Sequence, residues 1–206
     1  MNERGPLERI VLASASPRRL ELLQSLGLSV EVIVSGYREP PAPHVTPCEL
    51  ASLHAREKLA RALERIAGAG PPVVAADTVV ELDARPLGKP RDAREALCML
   101  RALSGRQHLV HTAFALAPSR DSAWIEERST TRVAFHPLTE AEIGEYVAGG
   151  EPLDKAGAYG AQGLGSALIE SIEGDFYTVV GFPLGRFVRV LRRLGFSLRT
   201  AKATLT

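Results

Sequence analysis

The sequence predicts an α/β fold, a mixed β-sheet flanked by helices, and three observations predict it. Short apolar and β-branched runs, at residues 9–14, 30–35 and 72–82, alternate with longer stretches whose apolar residues recur at helical spacing. Several of those stretches open on a proline or a Thr-x-x-Glu capping box and close on glycine. Residues 108–117 and 124–137, by contrast, read as two strands of an antiparallel pair, so βα units and hairpins are mixed in one chain.

In chain order, residues 9–14 form a buried strand that breaks at Ser14, and residues 17–26 form a helix. Ser16 caps it, Pro17 occupies the first turn and Gly27 stops it; Leu20, Leu22, Leu23 and Leu26 supply its apolar face. A second strand over 30–35 runs into an extended, proline-rich loop at 38–43. Thr46 and Glu49 form a capping box with Pro47 at the first helical position, opening a long helix to about residue 67. The run 72–82 is apolar except for one acid in its middle, Asp77. A turn at 83–86 leads to Leu87 and Lys89, and residues 92–103 form a helix closed by Ser104 and Gly105. After the antiparallel pair, a second capping box at Thr139 and Glu142 opens a helix that ends at Gly149 and Gly150. Residues 157–165 are a glycine-rich loop, 167–172 and 176–181 read as strands around Gly174, and 183–194 form a closing helix. No repeat or linker interrupts the chain, so residues 1–206 form a single domain with short flexible ends at about 1–7 and 197–206.

The bulk composition excludes several classes. Of 206 residues 45% are apolar, enough for a sizeable core, and the formal net charge of +1 gives no electrostatic pull toward nucleic acid. The polar start with Pro6 does not read as a signal peptide, and no apolar run reaches the roughly 18 residues of a membrane helix. Cys48 and Cys98 both fall in helical patterns and read as buried free thiols in a reducing compartment. A cytoplasmic protein with neither a nucleic-acid nor a membrane partner is expected. Only four lysines, Lys58, Lys89, Lys155 and Lys202, stand against 21 arginines. Three of the four lie in segments that attract attention for other reasons, where a compact ammonium differs physically from a guanidinium fork.

Four segments carry candidate chemistry. In SASPRR, residues 14–19, a strand ends, hydroxyls follow and a helix begins; Arg18 and Arg19 add forks that match phosphate oxygens. Cations in a first helical turn oppose the helix dipole, which favours a phosphate cradle over an ordinary cap with two solvated arginines. Asp77 is a carboxylate inside an apolar strand, which is costly unless it is paired or metal-bound. It reads equally as a general base or metal ligand facing a cleft and as a structural acid paired with a buried arginine. Lys89 stands in a tight loop that is not a Walker A loop, because Pro90 occupies the Ser/Thr position. The glycine-dense stretch 150–163 carries Lys155 and Gln162, and its glycines would let the backbone approach a ligand. It does not fit a dinucleotide-binding fingerprint. The histidines offer no metal site, since His108 and His111 face opposite sides of one strand, and no serine sits in a G-x-S-x-G elbow.

Taken together these segments resemble the Maf family of nucleotide pyrophosphatases and septum-formation inhibitors. The matching pieces run in family order: LASASPRRLELL at 12–23, AREK at 55–58, ADTV at 76–79, GKPRDA at 88–93, LSG at 103–105 with His108, Val110 and Thr112, GEPLDKAGAYGAQG at 150–163, and VVGFPL at 179–184. Ala84 departs from the usual Asp/Asn-Gly turn, Ala113 stands where glycine is common, and Phe182 replaces a leucine.

The resemblance implies an elongated fold with two lobes around a cleft, and hydrolysis of nucleoside triphosphates to monophosphate and pyrophosphate with a divalent metal such as Mg²⁺ or Mn²⁺. It assigns the proton acceptor to Asp77 and substrate binding to Ser14, Arg18, Arg19, Lys58, Lys89 and Lys155. Base choice falls on Arg18, Thr78 and Gln162, and the metal site on Glu39 and Asp77. The subgroup pattern, SPRR with Tyr159 to Gln162, implies dTTP and UTP as substrates. A preference for 7-methyl-GTP and a non-catalytic, nucleotide-sensing role in cell division are the competing expectations. The oligomeric state is left open, a homodimer included.

Overall fold

The computed structural model describes residues 4–42 and 44–198. Its elements are β1 (Gly5–Leu7), β2 (Arg9–Leu12), α1 (Pro17–Gln24), β3 (Ser29–Val32), α2 (Pro47–Arg65), β4 (Val73–Leu82), β5 (Arg85–Leu87), α3 (Ala93–Leu103), β6 (Gln107–Ala117), β7 (Ile125–Phe135), α4 (Glu140–Ala148), β8 (Ile169–Glu173), α5 (Phe176–Val180), α6 (Leu184–Arg193) and β9 (Phe196–Leu198). Between α4 and β8 the chain runs through three short 3₁₀ turns, at Glu151–Asp154, Ala156–Ala158 and Gly163–Leu168.

The central sheet has seven strands in the order β3-β2-β4-β6-β7-β8, with β5 added beside β4. β2 runs parallel to β3 and β4; β4, β6, β7 and β8 are antiparallel to one another in turn, so the sheet is mixed. Strand β4 organises the molecule. Its start is in register with β2 at Val73 and Val74, and its end pairs with β5 from Val80 onward. Between them β2 and β5 diverge, and the β4 edge at Asp77 and Thr78 faces a cleft. Strand alternation sends Ala75 and Val79 to the side covered by α2, with Leu59 and Leu63 among its packing partners. Val74 and Ala76 face a second core under α6 that holds Phe114, Phe182 and Phe187, and a third core joins α3 and α4 around Leu100, Phe135 and Ile143.

Both capping boxes form: Thr46 and Thr139 each accept from the backbone N–H three residues on, while Glu49 and Glu142 reach back to the cap. Ser16 does occupy the N-cap of α1, but its side chain makes no capping bond; Ser14 Oγ instead accepts from the Ser16 N–H at 3.2 Å.

Four expectations are corrected. Residues 176–180 are helical rather than extended: Asp175 caps α5 by accepting from the Thr178 N–H at 3.0 Å and its hydroxyl at 2.7 Å, and this outweighs the β propensity of Phe-Tyr-Thr-Val-Val. The turn at 83–86 is tighter than expected, because β5 begins at Arg85 after a two-residue loop. Residues 5–7 are not a loose end: β1 pairs in parallel with β9. Finally, neither cysteine is buried, Cys98 being exposed and Cys48 partly so, because each lies on the solvent side of its helix. The notion of flexible ends at 1–3 and 199–206 lies outside the described residues. Among the described residues no helix is long and apolar enough to cross a membrane.

Candidate active site

The cleft beside β4 has a volume of about 570 Å³, and all the residues singled out in the sequence line it: Ser14, Arg18, Arg19, Glu39, Lys58, Asp77, Thr78, Lys89, Lys155 and Gln162. They come from six separate parts of the chain. The β2–α1 turn and the first turn of α1 supply the first three, the proline-rich loop Glu39, helix α2 Lys58, strand β4 Asp77 and Thr78, the β5–α3 loop Lys89, and the joints between the 3₁₀ turns Lys155 and Gln162.

Asp77 and Lys58 form the floor. Both are buried, and Lys58 Nζ donates to Asp77 Oδ1 at 2.6 Å. The same ammonium lies 2.5 Å from Glu39 Oε1, so the partner of the buried acid is a lysine on α2 rather than an arginine. Desolvation pushes the Glu39 carboxyl upward, but the Lys58 ammonium, then Lys89 and His54, outweigh it and hold the group below the ordinary carboxylate range.

Arg19 is buried and fixed on three sides. Its Nε donates to the Gly181 carbonyl at 2.9 Å, Nη1 to Ser14 Oγ at 3.2 Å and Nη2 to Thr78 Oγ1 at 3.0 Å. The chain continues inward. Thr112 donates its only hydroxyl proton to the Thr178 carbonyl at 2.7 Å, so Thr78 donates to Thr112 at 2.9 Å and is left as acceptor for Arg19. Burial lowers the Arg19 pKa, against the pull of Asp77 and Glu39. An anion in the cleft would relieve that desolvation cost. Gly181 meets this network closely, since a Cβ there would lie 3.4 Å from Thr78 Oγ1 at a φ of +121°.

Two further cations are held by one acid. Asp154 accepts from Arg18 at 3.4 Å and from Lys155 at 2.7 Å, and Lys155 also donates to the Glu151 carbonyl at 2.6 Å. The Arg18–Asp154 pair spans the mouth of the cleft, from α1 to the 3₁₀ turns. Burial raises the Asp154 pKa, and Lys155 and then Arg18 outweigh it and lower it. Lys89 and Gln162 are exposed at the rim. Where a Cβ would point, the glycines of this loop meet the protein's own side chains, while Gly160 and Gln162 line the cleft. A Cβ on Gly157 would meet Val80 at 3.0 Å, one on Gly160 would meet Lys155 at 2.9 Å and one on Gly163 would meet Glu151 at 3.1 Å.

Sequence reasoning missed several residues of this site. Thr112, Thr178 and the Gly181 carbonyl orient Arg19 from far along the chain, and Asp154 neutralises two of the proposed phosphate ligands. Tyr37 and His54 also line the cleft, joined by a 3.1 Å hydrogen bond. Asp154 carried a signal, as an acid directly before Lys155, and Thr112 and Gly181 lay within the quoted motif pieces with no role attached to them. Among the described residues no group of three or more His, Cys, Asp or Glu side chains is arranged to hold a metal ion.

A family model, that of Maf-like proteins, matches residues 9–194. The chain is 51% identical over 187 residues to a dTTP/UTP pyrophosphatase of Thermus thermophilus, with 91% of this chain and 95% of that protein covered. It is 42% identical over 192 residues to a dTTP/UTP pyrophosphatase of Pelotomaculum thermopropionicum, covering 93% of this chain and all of the relative. A third, from Bacillus cytotoxicus, is 43% identical over 187 residues, covering 91% and 96%.

Proposed function

The chain belongs to the Maf family, and we propose that it is a nucleoside triphosphate pyrophosphatase that converts dTTP and UTP to the monophosphate and pyrophosphate. The observation that carries this reading is the buried Asp77–Lys58 pair at the floor of a cleft lined with five further cationic or phosphate-type groups, Ser14, Arg18, Arg19, Lys89 and Lys155. Phosphoryl transfer to water asks a protein for positioning and for charge neutralisation, and this lining supplies both.

In the proposed reaction Lys58 holds Asp77 through Oδ1, and Oδ2 accepts the proton of the attacking water. Arg19 presents its remaining N–H groups to the polyphosphate, oriented by Ser14, Thr78 and Gly181. Arg18 and Lys155 exchange Asp154 for phosphate oxygens as substrate enters, and Lys89 closes the rim. Glu39 and Asp77 are hard oxygen donors on either side of the Lys58 ammonium, and with phosphate oxygens they would suit a divalent ion such as Mg²⁺ or Mn²⁺. Such an ion, when bound, would neutralise charge on the polyphosphate.

For the base, Gln162 at the rim offers a donor and an acceptor from one amide. This suits the edge that thymine and uracil share, an N–H between two carbonyls. Held in one orientation, that amide would set donor against donor and acceptor against acceptor on a cytosine edge, a mismatch that costs about 1–3 kcal/mol once the base covers it. Arg18 and Thr78 complete the set proposed for base choice. A nucleotide panel at equal metal and pH tests the reading. UTP and dTTP should be hydrolysed ahead of CTP, the purine triphosphates and 7-methyl-GTP. A preference for 7-methyl-GTP overturns the base assignment, and nucleotide binding without pyrophosphate release under any metal favours the sensing role.

A further inference from the structure

Glu151 begins the 3₁₀ turn after α4 and does not line the cleft. Its carboxylate nevertheless lies under the loop that carries Gln162. Oε1 accepts from the Tyr146 hydroxyl at 3.0 Å and from the Gly165 N–H at 3.4 Å, and Oε2 accepts from the Leu164 N–H at 3.2 Å. Tyr146 turns back to the same loop, since its oxygen accepts from the Gly160 N–H at 3.2 Å. Glu151 and Tyr146 together therefore bind backbone on both sides of Gln162.

The glycines are the imprint of these pegs. A Cβ on Gly160 would meet Glu151 Oε1 at 3.2 Å, and one on Gly163, at φ +69°, would meet Oε2 at 3.1 Å. At Gly165 a Cβ would fall 2.6 Å from the Tyr146 oxygen and 2.8 Å from the Gly160 nitrogen. Real Cβ atoms do not approach as closely as the Gly165 distances, and those at Gly160 and Gly163 are tighter than most, so the loop packs closely around the carboxylate and phenol.

We infer that Glu151 is a positioning residue for base selection: its carboxylate, with Tyr146, holds the Gly160–Gly165 backbone rigid and so sets where the Gln162 amide meets the pyrimidine. The inference rests on the proposed role of Gln162 in recognising the base. Base contacts are the same in ground and transition states. Loosening the peg therefore weakens uniform binding and blunts discrimination, while the phosphate chemistry on β4 continues.

The test measures kcat and KM for UTP and CTP in the full-length protein with Glu151→Gln, Tyr146→Phe and Gln162→Ala. Glu151→Gln keeps the side chain's shape but replaces one accepting oxygen with a donor that opposes the loop N–H groups. KM for UTP should rise about tenfold with kcat within about twofold, and the UTP/CTP ratio of kcat/KM should fall by a similar factor. Tyr146→Phe, which removes two bonds without introducing a donor, should move the same quantities in the same direction, and it carries the test if the glutamine variant does not fold. A merely structural residue would lower the melting temperature and the amount of active protein but leave KM and the UTP/CTP ratio of the folded fraction unchanged; that outcome overturns the inference. If Gln162→Ala blunts discrimination while neither peg variant does, the peg is wrong and the base reading stands. If Gln162→Ala also leaves discrimination intact, the base reading itself fails and the inference goes with it.

Discussion

Lys58 donates to Asp77 Oδ1 at 2.6 Å between two side chains that are 11% and 7% exposed, and this pair ties helix α2 to the open edge of β4. Removing one partner of such a pair strands a buried charge. Lys58→Met should therefore destabilise the fold by about 3 kcal/mol, the lower end for buried pairs because the cleft admits water. The double variant with Asp77→Asn should recover part of that loss, since the buried Asp77 charge is then gone and the more exposed Glu39 is what loses its ammonium. Urea unfolding of the two single variants and the double closes the cycle, and additive losses would mean that the pair is not coupled.

The proposed catalytic role of Asp77 separates from its structural one. Asp77→Asn keeps size and hydrogen bonding but cannot accept the water's proton, so kcat should fall about 10²–10⁴-fold. Nucleotide affinity should stay within a few-fold, because the arginines and the other lysines are untouched. Pyrophosphate release gives the rate and calorimetry the affinity. An asparagine variant near the wild-type rate would remove Asp77 from the chemistry.

Metal dependence is expected from the Glu39 carboxylate, whose pKa Lys58 and then Lys89 hold below its ordinary value. Turnover should cease in excess chelator and return with Mg²⁺ or Mn²⁺. Glu39→Gln should raise the metal concentration needed for half-maximal rate more than it lowers the rate at saturation. Full turnover in metal-free buffer would reject both Glu39 as a ligand and the ion's part in the reaction.

The tight β4–β5 turn stores strain. Asp83 and Ala84 both have positive φ, 52° and 61°, as a two-residue hairpin loop of this hand requires. Aspartate tolerates that region, whereas alanine pays about 1–2 kcal/mol for it. Ala84→Gly removes the strain but gives the unfolded chain about 0.4–1 kcal/mol of extra freedom, so a net gain of roughly 0.5–1 kcal/mol is expected. Thermal unfolding measures it, and Ala84→Val, with a β-branched side chain at the same φ, should shift the midpoint the other way.

The parts of this molecule that were legible in the sequence are those whose signal is local. The capping boxes at Thr46 and Thr139 fix where α2 and α4 begin because all their atoms lie within four residues. Asp77 stood out because a lone acid in an apolar strand needs a partner, although periodicity could not say that the partner was Lys58. The pairing of β1 with β9 was illegible because residues 5–7 meet residues 196–198 only through the fold. Helix α5 was misread because one aspartate cap, reinforced by the Thr112 bond to the Thr178 carbonyl, overrides a β-rich segment of five residues. Glu151 carries no local signal beyond its place in the motif at 150–163, and only the folded loop reveals the three donors that converge on it.

His108 gives the fold a pH dependence that its surface acids do not. The ring is buried between Phe135 at 5.1 Å and Tyr159 at 5.3 Å, with Nε2 2.7 Å from the Tyr159 hydroxyl and Nδ1 without a hydrogen-bond partner. A second proton on the ring would place an uncompensated cation in the core, so desolvation pushes the folded-state pKa down to about 4. In the unfolded chain the same ring titrates near 6.5. Between those two values the unfolded state binds a proton that the folded state refuses, so stability rises with pH across the window. The contribution is complete above about pH 6.5, declines as the pH falls, and stops declining near pH 4, where the folded ring also protonates. Its full size is about 3 kcal/mol if no other group compensates. His108→Gln retains a partner for Tyr159 but cannot titrate. The unfolding free energy of the variant, measured in urea at about pH 7.5, 5.5 and 4.5, should fall less steeply than that of the wild type, with the two curves converging toward acid. Parallel curves over that range would mean that His108 takes up its proton equally well in both states, and that the packing around Tyr159 does not exclude the charge.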